Sequence, residues 1–325
     1  MIDYLKDVKS VGIIGLAKNT GKTTTLNFLI DQYKDRTIGL TSIGLDGEKI
    51  DQVNFLPKPQ IKVYPGMVVA TAKMCLEQAE VPFELIYPTT FSTALGKVDV
   101  VKILKEGHIM LAGPTTNREL NQLMKIMAAN VDLIFVDGAL SRMTFSAISE
   151  LDGIVLATGA SYSESMAETK LKTKFVIESF NYPLFEGDIP EKAAFYVGRQ
   201  KEVYLTTNKS MDHIKKTLTT MKNDISIVYI KGAITEKMMN LLIDIRLKDV
   251  SFVVDDPTKL MFHHTYGDVF QKLGIRVYVK KRCQIHLITV NPFRPLGSSY
   301  QADVFHQEIK QLTTIPVINV WHTEG

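Results

Sequence analysis

The stretch Gly15-Leu-Ala-Lys-Asn-Thr-Gly-Lys22-Thr23 limits what this chain can fold into more than any other part of it. It satisfies the pattern GxxxxGK[ST] in full. It directly follows an apolar run, Val11–Leu16, and directly precedes a helical stretch from Lys22 to about Tyr33 with apolar Leu26, Phe28, Leu29 and Ile30. A glycine-rich turn between a strand and a helix gathers backbone N–H groups around a small concavity, and the helix start adds the positive end of its dipole. Gly15 and Gly21 allow the loop to wrap closely. Lys22 supplies a point charge for β- and γ-phosphates and Thr23 a hydroxyl for Mg²⁺. With Asn19, Thr20 and Thr24 these residues form the expected cofactor-binding set.

The rest of the chain alternates strand-like and helix-like segments, which predicts βαβ units and a mostly parallel sheet. Thr37–Leu45, Glu84–Tyr87, His108–Ala112, Leu133–Val136 and Gly153–Ala157 read as strands. Helices are expected around Ala70–Ala79, from Asn117 as cap to about Ala129, and from about Ser165 to Ser179. Pro183, Gly187 and Pro190 lie among charges in Tyr182–Ala193 and suggest a domain boundary there. A chain of 325 residues has room for two domains. The expectation is therefore an α/β protein: a nucleotide-binding domain over 1–185, followed by a smaller α/β domain over 186–325. In the second, Ile225–Ile230, Ser251–Val254, Arg276–Val279, Ile285–Val290 and Pro316–Val320 read as strands. Thr235–Ile245, Tyr266–Leu273 and Asp303–Leu312 read as helices.

A phosphate-binding loop needs a carboxylate at the end of a neighbouring buried strand to hold the magnesium shell. Asp137 ends such a run in Val131-Asp-Leu-Ile-Phe-Val-Asp137-Gly138; the alternative is a turn or cap residue. Asp46 ends the strand after the first helix and could touch magnesium or orient an attacking water, which makes it a catalytic candidate beside Lys22. Asp-Gly is also a common turn pair. Glu48 is a reserve for that role.

Charge and composition exclude several classes. A net charge of +3 gives no electrostatic case for nucleic acid or an anionic membrane. With 45% hydrophobic and 22% charged residues, disorder and coiled coil are poor readings. The N-terminal MIDYLKDVKS has no apolar signal core and no apolar run reaches membrane-span length, so a cytoplasmic protein is expected. Cys75 and Cys283 are isolated and read as buried, reduced thiols.

The loop at 15–23, Asp46 twenty-four positions beyond Lys22, and the apolar strand ending at Asp137 resemble the SIMIBI class of P-loop proteins over about residues 9–180. That class includes nitrogenase iron-proteins, dethiobiotin synthetases and metallochaperone GTPases. The resemblance implies Mg-nucleotide binding and a homodimer with nucleotide at or near the interface. One departure stands out: the class carries a lysine five positions before the invariant one, whereas Lys18 lies four before Lys22. Lys18 therefore reads as a solvated loop lysine. The whole chain also resembles a narrower family, the P-loop subunit of reactivases for adenosylcobalamin-dependent lysine 5,6-aminomutase. The stretches that carry this are GLAKNTGKTTT (15–25), TSIGLDGEKID (41–51), FSTALGKV (91–98), LAGPTTNREL (111–120), VDGALSRMTF (136–145), DGIVLATGAS (152–161), DDPTKLM (255–261) and TVNPFRPLG (289–297). That family implies an ATP-dependent chaperone-like helper with a larger ATPase partner subunit, exchanging damaged cobalamin on the mutase.

ATP is favoured over GTP. The DxxG loop of GTPases would need glycine at Leu140, and the nearest text to NKxD, Asn208-Lys209-Ser210-Met211-Asp212, has one residue too many and reads better as a polar loop. Other patches keep two readings. Leu111–Arg118 could face the phosphates or be a capped turn. Arg142 reads as a surface or ion-pair residue that could reach a phosphate. Ala157–Ser161 could line the crevice. Asp255–Lys259 could be a site or a capping turn. Asn291–Pro295 fixes a rigid loop. His263-His264 lacks the one-faced spacing of a metal pair. Three functions remain in view: an ATPase that remodels a partner protein, a small-molecule kinase or ligase on the same core, and a nucleotide-binding regulatory module.

Overall fold

The computed structural model describes residues 3–43, 60–138, 151–191, 193–198, 203–221 and 224–321. The chain forms two compact units: Met1–Lys170 with Gln284–Gly325, and Leu171–Cys283. This replaces the expected division after residue 185. The second unit is an insertion, and the chain returns to the first unit at Gln284.

In the first unit the strands are β1 (Ser10–Gly15), β2 (Ile38–Ser42), β3 (Ile61–Val63), β4 (Val68–Ala72), β5 (Phe83–Thr93), β6 (Gly96–Ile103), β7 (Gly107–Ile109), β8 (Leu133–Asp137) and β9 (Gly153–Gly159). The inserted unit holds β10 (Phe195–Gly198), β11 (Val203–Thr206), β12 (Ile227–Ile230), β13 (Ile234–Thr235), β14 (Ser251–Val254), β15 (Leu260–Met261) and β16 (Arg276–Val279). On its return the chain adds β17 (Gln284–Asn291) and β18 (Val317–Asn319). The helices are α1 (Lys22–Gln32), α2 (Lys73–Gln78), α3 (Asn117–Ala128), α4 (Met166–Phe180), α5 (Met211–Met221), α6 (Glu236–Asp244), α7 (Gly267–Lys272) and α8 (Ala302–Lys310). No described helix is long and apolar enough to cross a membrane.

The large sheet runs β18-β17-β9-β1-β8-β2-β4-β6-β5. From β18 to β4 every neighbouring pair is parallel, and at the far edge β6 runs antiparallel to both β4 and β5. Strands covered on both faces read as continuous apolar runs, and β1 and β9 are buried along their whole length. The core packs Leu26, Leu29 and Ile30 of α1 with Val11, Ile13, Leu40, Phe135, Val155 and Leu287. At the N-terminal end of β1, Asp152 Oδ2 accepts from Lys9 N at 3.2 Å, Ser10 N at 2.9 Å and Ser10 Oγ at 2.8 Å, tying β1 to the start of β9.

The correction at the C-terminus has a physical cause. Ile285–Val290 reads as a strand, and β17 covers it from Gln284 to Asn291, but a strand's own sequence does not say which sheet it joins. Here it pairs in parallel with β9, from Gln284↔Gly153 to Asn291↔Gly159. A second difference lies at 68–78, where a helix was expected from Ala70. Val68–Ala72 is instead a fully buried strand between β2 and β6, and only Lys73–Gln78 is helical. Pairing on both sides outweighs the local helix preference of its alanines.

The inserted unit has a sheet ordered β11-β10-β12-β14-β16, with β12, β14 and β16 parallel and β10 antiparallel to both neighbours. Its Asp255–Lys259 segment is a capping turn. Asp256 accepts from Thr258 N at 3.0 Å and pairs with Lys259 Nζ at 3.1 Å. Asp255 accepts from the Tyr229 hydroxyl at 2.7 Å and from Gly232 N at 3.1 Å.

Candidate nucleotide site

The candidate site lies where the interior strand β1 gives way to α1. Leu16 N donates to Ala157 O at 3.0 Å, keeping the loop in register with β9 as it leaves the sheet. Two loop residues take the left-handed conformation, Asn19 at φ 60° and Gly21 at φ 89°. Gly21 is the N-cap of α1 and has no side chain to give, so α1 starts without a side-chain cap and with no acidic residue in its first turn. The first N–H groups of a helix have no intrahelical acceptor. The start of α1 therefore presents uncompensated donors and the positive dipole end together.

The contrast with α3 is informative. There the Thr116 hydroxyl accepts from Glu119 N at 3.3 Å and donates to Glu119 Oε2 at 2.7 Å, a side-chain cap. The cap is Thr116 rather than Asn117, and Leu111–Arg118 is a capped turn whose Gly113 N donates to Ser42 Oγ at 2.8 Å.

Lys22 folds back over the loop. A Cβ added at Gly15 would lie 2.8 Å from Lys22 Cγ and 2.5 Å from Thr20 Oγ1, so only glycine fits beneath that side chain. Lys22 Nζ donates to Gly138 O at 3.3 Å. Gly138 follows Asp137, the last residue of β8. Asp137 is paired with Ile13 of β1 on one side and Ser42 of β2 on the other. The lysine and the carboxylate thus come from adjacent strand ends, the place where open parallel sheets bind ligands. Thr20 is buried, with its hydroxyl on Ala17 O at 2.9 Å. Thr23 and Thr24 are half-buried in the first turn of α1, and Lys18 is exposed. Asp46, Glu48, Leu140 and Arg142 lie outside the described residues.

Residues far along the chain complete the loop's surroundings. Asn291, at the end of β17, donates through Nδ2 to Asn19 O at 3.1 Å and accepts from Phe293 N at 2.9 Å. Ser161 Oγ donates to the same Asn19 carbonyl at 3.0 Å. A Cβ at Gly159 would stand 2.6 Å from Asn291 O, so the approach of β9 to β17 requires glycine there. One turn into α1, Thr25 Oγ1 meets Thr289 Oγ1 at 2.7 Å in a fully buried contact. The sequence reading did not connect Asn291 or Thr289 with this loop, because it placed both in the other domain. Asn208–Asp212 opens α5 as a polar turn, with Ser210 N on Asn208 Oδ1 at 3.0 Å and Asn208 N on Thr206 Oγ1 at 3.0 Å.

The donor set fits a polyphosphate with a divalent cation. It combines helix-start N–H groups without a side-chain cap, one ammonium, a threonine hydroxyl and a carboxylate at the next strand end. Compared with models of known protein families, with curated proteins and with solved structures, the chain matches none.

Proposed function

We propose that this chain binds Mg-ATP on the loop 15–23 and hydrolyses it, and that hydrolysis remodels a partner protein. The observation that carries the reading is the start of α1 without a side-chain cap, with Lys22 folded over Gly15 at the C-terminal end of the interior strand β1. Gly15, Asn19, Thr20, Gly21, Lys22, Thr23 and Thr24 form the phosphate cradle of this reading. Thr23 and Asp137 would hold Mg²⁺, and Asp46 is the candidate for orienting the attacking water. Bound magnesium neutralises charge on the phosphate oxygens. Lys22 moves from the Gly138 carbonyl to the phosphates when they arrive, and the N–H groups of α1 bind oxygens that water otherwise solvates.

The finer reading rests on the sequence resemblance. On it, the protein is a cytoplasmic SIMIBI-type ATPase, working with a larger ATPase subunit, either as a single chain or as a homodimer. Its client is an adenosylcobalamin-dependent lysine 5,6-aminomutase whose damaged cofactor is exchanged. The inserted unit, Leu171–Cys283, supplies surface for contact with that client.

Calorimetric titration with Mg-ATP tests the first step. Lys22→Ala is expected to abolish binding with the circular-dichroism spectrum unchanged, because Lys22 opens α1 outside the hydrophobic core. Asp137→Asn is expected to weaken the magnesium dependence of binding. Wild-type affinity in Lys22→Ala would overturn the phosphate-loop reading.

A further inference from the structure

Two and three strands away from β1, the last two strands of the sheet end in an exposed aromatic pair. Phe293 is 47% and Trp321 40% exposed, and their rings stand 5.5 Å apart at 41°. Both follow C-terminal strand ends, Phe293 after β17 and Trp321 after β18, whose register pairs Val290 with Asn319. Exposed large aromatics at a sheet's C-terminal end do not serve the core.

Asn319 lies beside this pair and is only 8% exposed. Its Oδ1 accepts from Trp321 N at 3.1 Å, which fixes the amide orientation because a backbone N–H can only donate. Its Nδ2 is buried and has no hydrogen-bond partner among the described residues. Leaving a buried amide donor unpaired is costly, so such a group calls for a partner.

We propose that Phe293, Trp321 and Asn319 form the base-recognition site of the nucleotide held on loop 15–23, and that the base is adenine. The inference rests on the phosphate-loop reading above. Parallel strands lie about 4.8 Å apart, which puts the ends of β17 and β18 roughly 10 and 14 Å from β1, within the span of an extended nucleoside triphosphate. Asn291 is committed to the loop itself, holding the Asn19 carbonyl and the Phe293 N–H, so it sets the position of Phe293 and leaves base reading to Asn319. An amide with an unused NH2 group and a spare carbonyl lone pair matches the N7 acceptor and N6 amino donor of adenine. Guanine offers two acceptors, O6 and N7, on that edge and would set O6 against the amide oxygen. The Asn319 nitrogen is covered, so the base reaches it only as Trp321 shifts.

Trp321 is the chain's one tryptophan and reports this directly. Titrations compare Mg-ATP, Mg-GTP and Mg-tripolyphosphate by Trp321 fluorescence and by calorimetry. ATP is expected to change the emission at saturation and to bind about tenfold tighter than GTP. Tripolyphosphate is expected to bind while leaving the emission unchanged. Phe293→Ala, an exposed position, should weaken ATP binding about tenfold and leave tripolyphosphate affinity as it was; Asn319→Asp should do the same and remove the preference over GTP. Tripolyphosphate binding without any ATP-specific emission change, or Phe293→Ala binding ATP like wild type, overturns the base site alone. Failure of the wild-type protein to bind either compound overturns the loop reading and this site with it.

Discussion

The buried pair of hydroxyls at Thr25 and Thr289 offers the sharpest test of how the C-terminal strand returns to the first unit. Their oxygens are 2.7 Å apart, and the residues are 0% and 1% exposed. Thr25→Val removes one partner with little change of shape and leaves the Thr289 hydroxyl buried and unsatisfied, an expected loss of about 1–3 kcal/mol. Thr289→Val should cost a similar amount for the mirror-image reason. The double variant removes both polar groups and should lie close to wild type, giving a coupling of about 1–3 kcal/mol in a double-mutant cycle. For a unit of this size the single losses correspond to melting shifts of roughly 2–12 °C, at about 2–4 °C per kcal/mol. Urea unfolding followed through Trp321, which belongs to the same unit, measures all four proteins. Single losses that simply add in the double variant would show that the two hydroxyls do not meet, and the placement of β17 against α1 would fall with them.

Two further outcomes follow from the same unit. Burial holds the His286 imidazole below its ordinary pKa, against the opposing pull of Asp152, so the folded state favours the neutral ring. The unfolded chain then binds more protons as pH falls through about 6.5; this contribution to stability is present above that value and is lost towards the lower folded pKa. The urea midpoint should therefore drop between about pH 7.5 and 5.5, and less so in His286→Gln; equal drops would assign the effect to other groups. Asn291→Ala removes the amide that holds the Asn19 carbonyl and should weaken Mg-ATP binding about tenfold, near the worth of one net hydrogen bond; unchanged affinity by calorimetry would show that the loop keeps its shape unaided.

Local chemistry made some features readable in advance. The strand, turn and helix around 15–23 follow from a valine- and isoleucine-rich run, two glycines and a leucine stripe, all within one segment. The strand ending at Asp137 and, in the inserted unit, β12, β14, β16, α6 and α7 follow from patterns of the same short range, whereas β10, β11, β13, β15 and α5 are not read from them. What the residues did not reveal was partnership. The strand Gln284–Asn291 has the same apolar run whichever sheet it joins, and only pairing with β9, after the long insertion Leu171–Cys283, brings Asn291 to the Asn19 carbonyl and Thr289 to Thr25. Likewise a linear reading takes Phe293 only as part of a rigid loop and passes over Asn319 and Trp321, and the three become neighbours only because β17 and β18 end side by side. Hydrophobic periodicity records which faces are buried, since that is a property of each segment. Which segments bury one another depends on long-range pairing, and no local pattern encodes that choice.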